Sequence, residues 1–134
     1  MQNSEARIVI NSAADIVTAR QKGRLLAMEL GFDGADLTLI ATAISEIARN
    51  IVDHAKAGEV VLAPTNSGGK RGIVITACDE GPGIADVAKA MEYGYSTRKG
   101  LGVGLPGAKW LMDEFDISTK VGKGTTVTMK KWLH

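Results

Sequence analysis

The stretch "AISEIARNIVDHA", residues 43–55, decides how the chain is read. Together with the preceding Ile40 it sets Ile40, Ile44, Ile47 and Ile51 at spacings of four, three and four. Residues at those spacings share one face of an α-helix, so the pattern predicts an amphipathic helix buried along the isoleucine stripe. Each residue turns a helix by about 100°. Glu46 therefore sits beside Ile47, and Asn50 beside Ile51, four residues apart on one face at the edge of the buried stripe. A polar rim on a core helix is ordinary. An acid and an amide one turn apart, where water is scarce, also suit chemistry. The rest of the chain has to choose between these readings.

Working outward, this helix is predicted from about Asp36 to Ala57, with Gly58 as its stop. Upstream, "RIVI" (7–10) reads as a strand. Ser12 reads as the N-cap of a helix, "DIVTARQKGRLLAMEL", which Gly31 ends and which Gly23 interrupts. Downstream, "EVVLAPT" and "IVITACDE" read as strands joined by a hairpin turn at "NSGGKRG". "IADVAKAMEYG" reads as a short helix, "YSTRKGLGVGL" as a loop, and "PGAKWLMDEF" as a helix with Pro106 at its first position. "DISTKV" and "TTVTMKKWL" flank "GKG" as a final hairpin. This order predicts an α+β fold: a two-layer α/β sandwich whose mixed, mostly antiparallel sheet is covered on one face by helices. All of 1–134 is expected to form one domain.

Composition narrows the function classes. The chain is 45% hydrophobic and 23% charged, in the globular range. A net charge of +1 argues for neither nucleic acid nor an anionic membrane as partner. Aromatic residues are 4%, too few for a base-stacking platform. The single cysteine, Cys78, lies in apolar "IVITAC" and reads as an inert thiol in a reducing compartment. No apolar run approaches the roughly 18 residues of a membrane span, and "MQNSEAR" does not read as a signal peptide. A soluble cytoplasmic protein is expected. The basic run "ARQKGR" (19–24) reads as a solvated helix face, Trp132 as a core-rim residue, and Trp110 as core or partner-facing.

Sixteen glycines cluster mostly after residue 66. In "DEGPGI" (79–84), Asp79 ends a strand, and Gly81 and Gly83 let the backbone turn tightly or approach a ligand closely. A plain turn uses the same residues. In "GLGVGLPG" (100–107), Gly100, Gly102 and Gly104 leave three backbone N–H groups unshielded just before a helix, a geometry suited to phosphate. The spacing matches neither a P-loop nor a dinucleotide fingerprint. "GKGTT" (122–126) adds a third glycine pair, in itself a hairpin turn.

Taken in order, "SEIARNI", "DEGPGI", "GLGVGLPG" and "GKGTT" resemble the N box and the three glycine boxes of the GHKL nucleotide-binding superfamily, which includes gyrase, MutL, histidine kinases and bacterial anti-sigma-factor kinases. The resemblance covers nearly the whole chain. Within the superfamily the chain looks most like the RsbT-type serine/threonine kinases of the stressosome. The features that carry this are "AISEIARNI", the very short lid "GYSTRKGLGVGLPG", and "LMDEFDI" leading to "KKWL". The related RsbW-type kinases usually follow the N-box asparagine with alanine, whereas Asn50 is followed by Ile51; His54 matches a position common in that type.

The resemblance implies ATP as cofactor. Asp79 would accept from the adenine amino group, and Gly81 and Gly83 would admit the base and ribose. Gly100, Gly102 and Gly104 would wrap the phosphates, and Thr125 would support the adenine end. Asn50 would be a neutral ligand to Mg²⁺, which takes few protein ligands beside phosphate oxygens and water. Glu46, one turn away, would be the catalytic base. The implied acceptor is a serine or threonine on a STAS-domain scaffold protein, with a PP2C-type phosphatase as second partner, activated when the kinase leaves the scaffold. Hydrolysis to drive motion, or transfer to histidine, would call for further domains. The alternative is an anti-sigma-factor kinase that sequesters a sigma factor and phosphorylates a STAS-domain antagonist. An intact Glu46 favours chemistry over pure binding.

Overall fold

The computed structural model describes residues 5–55, 57–81 and 104–133. In chain order they form β1 (Ala6–Ile10), α1 (Ala13–Leu30), α2 (Gly34–His54), β2 (Gly58–Ser67), β3 (Lys70–Asp79), α3 (Gly104–Leu111), β4 (Glu114–Lys120) and β5 (Gly124–Trp132). The strands make one sheet in the order β1-β2-β3-β5-β4. Each neighbouring pair is antiparallel, so among the described residues the sheet is antiparallel throughout rather than mixed.

Alternation along each strand sends one set of side chains to one face. The register lines up Ile8 with Val60, Val60 with Ala77, and Ala77 with Val127. Beside that row, Leu62, Ile75 and Met129 line up in the same way. All of these are buried, and α1 and α2 lie on this face, with α3 packed against α2. The stripe Ile40, Ile44, Ile47 and Ile51 is at most 1% exposed. Full burial of each such side chain stabilises the fold by about 2 kcal/mol.

Local sequence explains the helix ends. Asp15 accepts from the backbone N–H groups of Asn11 and Ser12 at 2.8 and 3.1 Å, holding the start of α1. Gly31 ends it in the left-handed conformation at φ 110°, where a side chain would be strained. Gly23 does more than weaken α1. A Cβ there would overlap the tip of Ile44, so the glycine lets α1 settle onto α2. The helix α2 begins two residues before Asp36 and stops at His54, three residues short of the expected Ala57. Gly58 does not stop it. That glycine is already the first residue of β2, paired with Asp79 and Ile10.

The helix expected at "PGAKWLMDEF" starts two residues before Pro106 and ends at Leu111, and its last residues open β4. Lys131 is the reason. Its buried ammonium donates to the Leu111 carbonyl at 3.1 Å, and the Trp132 N–H donates to Asp113 at 2.8 Å, turning the chain into the strand. Trp132 is buried, with its indole N–H donating to Glu114 at 2.6 Å, while Trp110 is 80% exposed. Both hairpins form where the glycines predict them. The short helix expected at "IADVAKAMEYG" and the loop "YSTRKGLGVGL" lie outside the described residues, except Gly104 and Leu105, which open α3.

Candidate active site

The site begins at the end of β3, the central strand. Ile73, Ile75 and Ala77 face the helices, and the same alternation puts Asp79 on that face. One Asp79 carboxylate oxygen, Oδ1, accepts the Gly81 N–H at 2.9 Å, which fixes the side chain in a tight turn and leaves Oδ2 to receive a ligand donor. Directly across the register from Asp79 is Thr125, 5% exposed. The Thr125 hydroxyl lies 2.9 Å from that of Thr119, and the Thr119 hydroxyl donates to the Gly124 carbonyl at 3.1 Å.

Two glycines let these parts close up. A Cβ on Gly124 would overlap the Asp79 carbonyl oxygen. One on Gly81 would come within 2.6 Å of the Ala55 Cβ. The Asp79–Gly81 turn is therefore seated on the end of α2. From Ala55, α2 rises about 1.5 Å per residue. Asn50 and Glu46 accordingly lie about 8 Å and about 14 Å back along the helix axis.

Asn50 is half-buried. Glu46 is 7% exposed, deeper than a helix rim. Arg49, on the next turn and half-exposed, places Nη1 3.8 Å from the Glu46 carboxylate. Of the other glycines singled out in the sequence, Gly104 is the first residue of α3, and Gly83, Gly100 and Gly102 lie outside the described residues. Thr119 is the residue that sequence reading passed over. It is one threonine of a β-rich stretch, and its place beside Thr125 is visible only once the β4–β5 register is known.

An α/β sandwich with a carboxylate and a hydroxyl at a sheet end, backbone brought close by glycines, and a buried acid with an amide along the adjoining helix is the arrangement expected of a nucleotide-binding domain of the GHKL kind. Comparison with known proteins agrees. The profile of the histidine kinase-like ATPase domain matches residues 10–131, and the chain belongs to that family. It is 49% identical to the serine/threonine-protein kinase RsbT of Bacillus subtilis over 132 residues, 98% of this chain and 99% of that protein. It is also 37% identical to the anti-sigma F factor of a Thermoanaerobacter species over 100 residues, 70% of this chain and 68% of that protein. A Geobacillus anti-sigma F factor is 32% identical over 105 residues, 73% of this chain and 70% of that protein. An ATPase domain of this type, with such identity along nearly the full length of a protein kinase, makes the chain an ATP-using protein kinase.

Proposed function

We propose that this protein is a serine/threonine kinase that phosphorylates STAS-domain scaffold proteins of a stressosome and, on leaving the scaffold, activates a PP2C-type phosphatase in the cytoplasm. The observation that carries the reading is the pairing of a buried carboxylate, Glu46, with Asn50 one turn away on a helix whose end touches the Asp79 turn. The residues fit a nucleotide. Asp79 offers a free carboxylate lone pair to a base amino group, and Gly81 and Gly124 let the chain pack closely around that carboxylate. The phosphates are assigned to the backbone N–H groups of Gly100, Gly102 and Gly104. The Asn50 amide oxygen would hold Mg²⁺, which would supply charge neutralisation at the phosphates.

In the transfer, the acceptor hydroxyl oxygen bonds to the γ-phosphorus, and the bond from that phosphorus to the β,γ-bridging oxygen breaks. ADP carries away the electron pair. Glu46 takes the hydroxyl proton. A rigid helix keeps base and metal ligand at a fixed separation, which is what in-line transfer needs. Competition between scaffold and phosphatase for one surface, biased by phosphate charge on the scaffold, would supply the switch.

The anti-sigma F relatives support a second reading: a kinase that sequesters a sigma factor and phosphorylates a STAS-domain antagonist. Intact-mass phosphotransfer tests both. With Mg·ATP and a STAS-domain scaffold, wild type should add one phosphate. Glu46→Gln should bind ATP normally and transfer at least about 100-fold more slowly, the scale of a lost general base. Undiminished transfer by Glu46→Gln would remove the base assignment. Transfer to a STAS antagonist together with capture of a sigma factor would favour the second reading.

A further inference from the structure

We propose that Thr119 is a positioning residue that fixes the Thr125 hydroxyl as a hydrogen-bond acceptor, and so sharpens selection of a 6-amino purine over a 6-oxo purine. The inference rests on the nucleotide-site reading above and deepens it. Its basis is proton counting. A hydroxyl has one proton and two lone pairs. The Gly124 carbonyl can only accept, so the 3.1 Å contact takes the Thr119 proton. The two threonine oxygens are 2.9 Å apart, so Thr125 must be the donor between them. With its own proton directed at Thr119, Thr125 has only lone pairs left to offer a ligand.

Those lone pairs lie beside another acceptor. Thr125 is the cross-strand partner of Asp79, whose Oδ1 is already taken by Gly81 and whose Oδ2 can only accept when ionised. A 6-amino group brings two N–H donors to this pair. A 6-oxo group brings lone pairs against lone pairs. Thr125 is 5% exposed, so little solvent is present to relieve the mismatch. The chain of bonds is also held at its far end. Gly124 has φ 122°, a conformation that a side chain rarely adopts, and is packed against the Asp79 backbone, so its carbonyl is a fixed terminus. Successive hydroxyl bonds in one direction reinforce each other.

Without the Thr119 hydroxyl, Thr125 loses its internal acceptor. Its O–H then rotates and can donate to a 6-oxo oxygen. Discrimination falls while the pocket keeps its shape.

The test compares the Kd values of Mg·ATP and Mg·ITP by titration calorimetry. ITP differs from ATP in carrying a 6-oxo base. Wild type should prefer ATP. Thr119→Val, of the same shape but without the hydroxyl, should reduce that preference roughly tenfold, the scale of one buried hydrogen bond. Thr119→Ser should restore it. If valine impairs folding, Thr119→Ala tests the same loss without added bulk. A merely structural role would weaken both nucleotides alike and leave the ratio unchanged. An unchanged ratio in Thr119→Val and Thr119→Ala overturns the proposal and leaves the nucleotide site standing. Equal binding of ATP and ITP by wild type overturns the reading of Asp79 as the base-selecting group, and this proposal with it.

Discussion

Two hairpins in this molecule carry the same sequence signal and put it to different uses. The β2–β3 turn contains Gly68 and Gly69 at φ 57° and 84°, and a Cβ on either would have nothing within 4 Å. These glycines serve the turn alone. They supply the two left-handed residues of a two-residue loop whose twist matches the strands it joins. The β4–β5 turn contains Gly122 and Gly124 at φ 80° and 122°. Gly122 is again in open space, but Gly124 is pressed against the Asp79 backbone, and its carbonyl anchors Thr119. One hairpin tip is a piece of chain geometry. The other is a wall of the candidate site. A glycine pair between strands therefore announces a turn, and only packing tells which glycine also builds a pocket.

Substitution should separate the two tips. The largest effect is expected at Gly124→Ala, where an unfavourable φ and an overlap with backbone coincide. The loss should be about 3 kcal/mol or more, since neither partner can rotate away. Thermal denaturation should show Tm lower by about 10 °C, and calorimetric titration should show ATP binding greatly weakened. Wild-type Tm and wild-type affinity in this variant would erase the distinction drawn here. Gly69→Ala faces strain without overlap. It should cost about 1 kcal/mol, the penalty of a left-handed alanine, with ATP affinity unchanged. A drop in affinity at that tip would show that the two hairpins are coupled.

The same contrast explains what could be read from the sequence. The strands, both hairpins and the two long helices were legible because hydrophobic period and turn glycines act locally. "NSGGKRG" needs nothing beyond itself to form a turn. The end of α2 was not legible. Alanine-rich "DHAKA" favours a longer helix by propensity, but Gly58 is claimed by the sheet, paired with Asp79 where a Cβ would meet the Cys78 carbonyl. The end of α3 was misjudged for a similar reason, since Lys131, 20 residues later, caps it. In the candidate site, Glu46 and Asn50 stood out as polar residues beside an apolar stripe, and Asp79 as an acid at a strand end. The depth of Glu46 goes beyond what helical period supplies, which places it only at the edge of the stripe. Thr119 was invisible because the meaning of its hydroxyl lies in a cross-strand neighbour and in a carbonyl five residues away.

The smallest expected effect gives the most demanding test of the comparison. Gly68 has φ 57°, which matches the left-handed region that asparagine tolerates best after glycine. Asn-Gly is also the favoured pair for this loop. Gly68→Asn should therefore fit the turn without strain, and it restricts the unfolded chain more than glycine does. The balance is between zero and about 0.5 kcal/mol in favour of the folded state, read as a small rise in the urea midpoint at unchanged slope. ATP affinity and phosphotransfer should not move. No equivalent replacement exists at Gly124, where φ 122° lies far from the asparagine region and the neighbouring backbone fills the space. A destabilisation above about 1 kcal/mol in Gly68→Asn would mean that conformation alone does not account for the β2–β3 tip. In that case the difference between the hairpins would be one of degree.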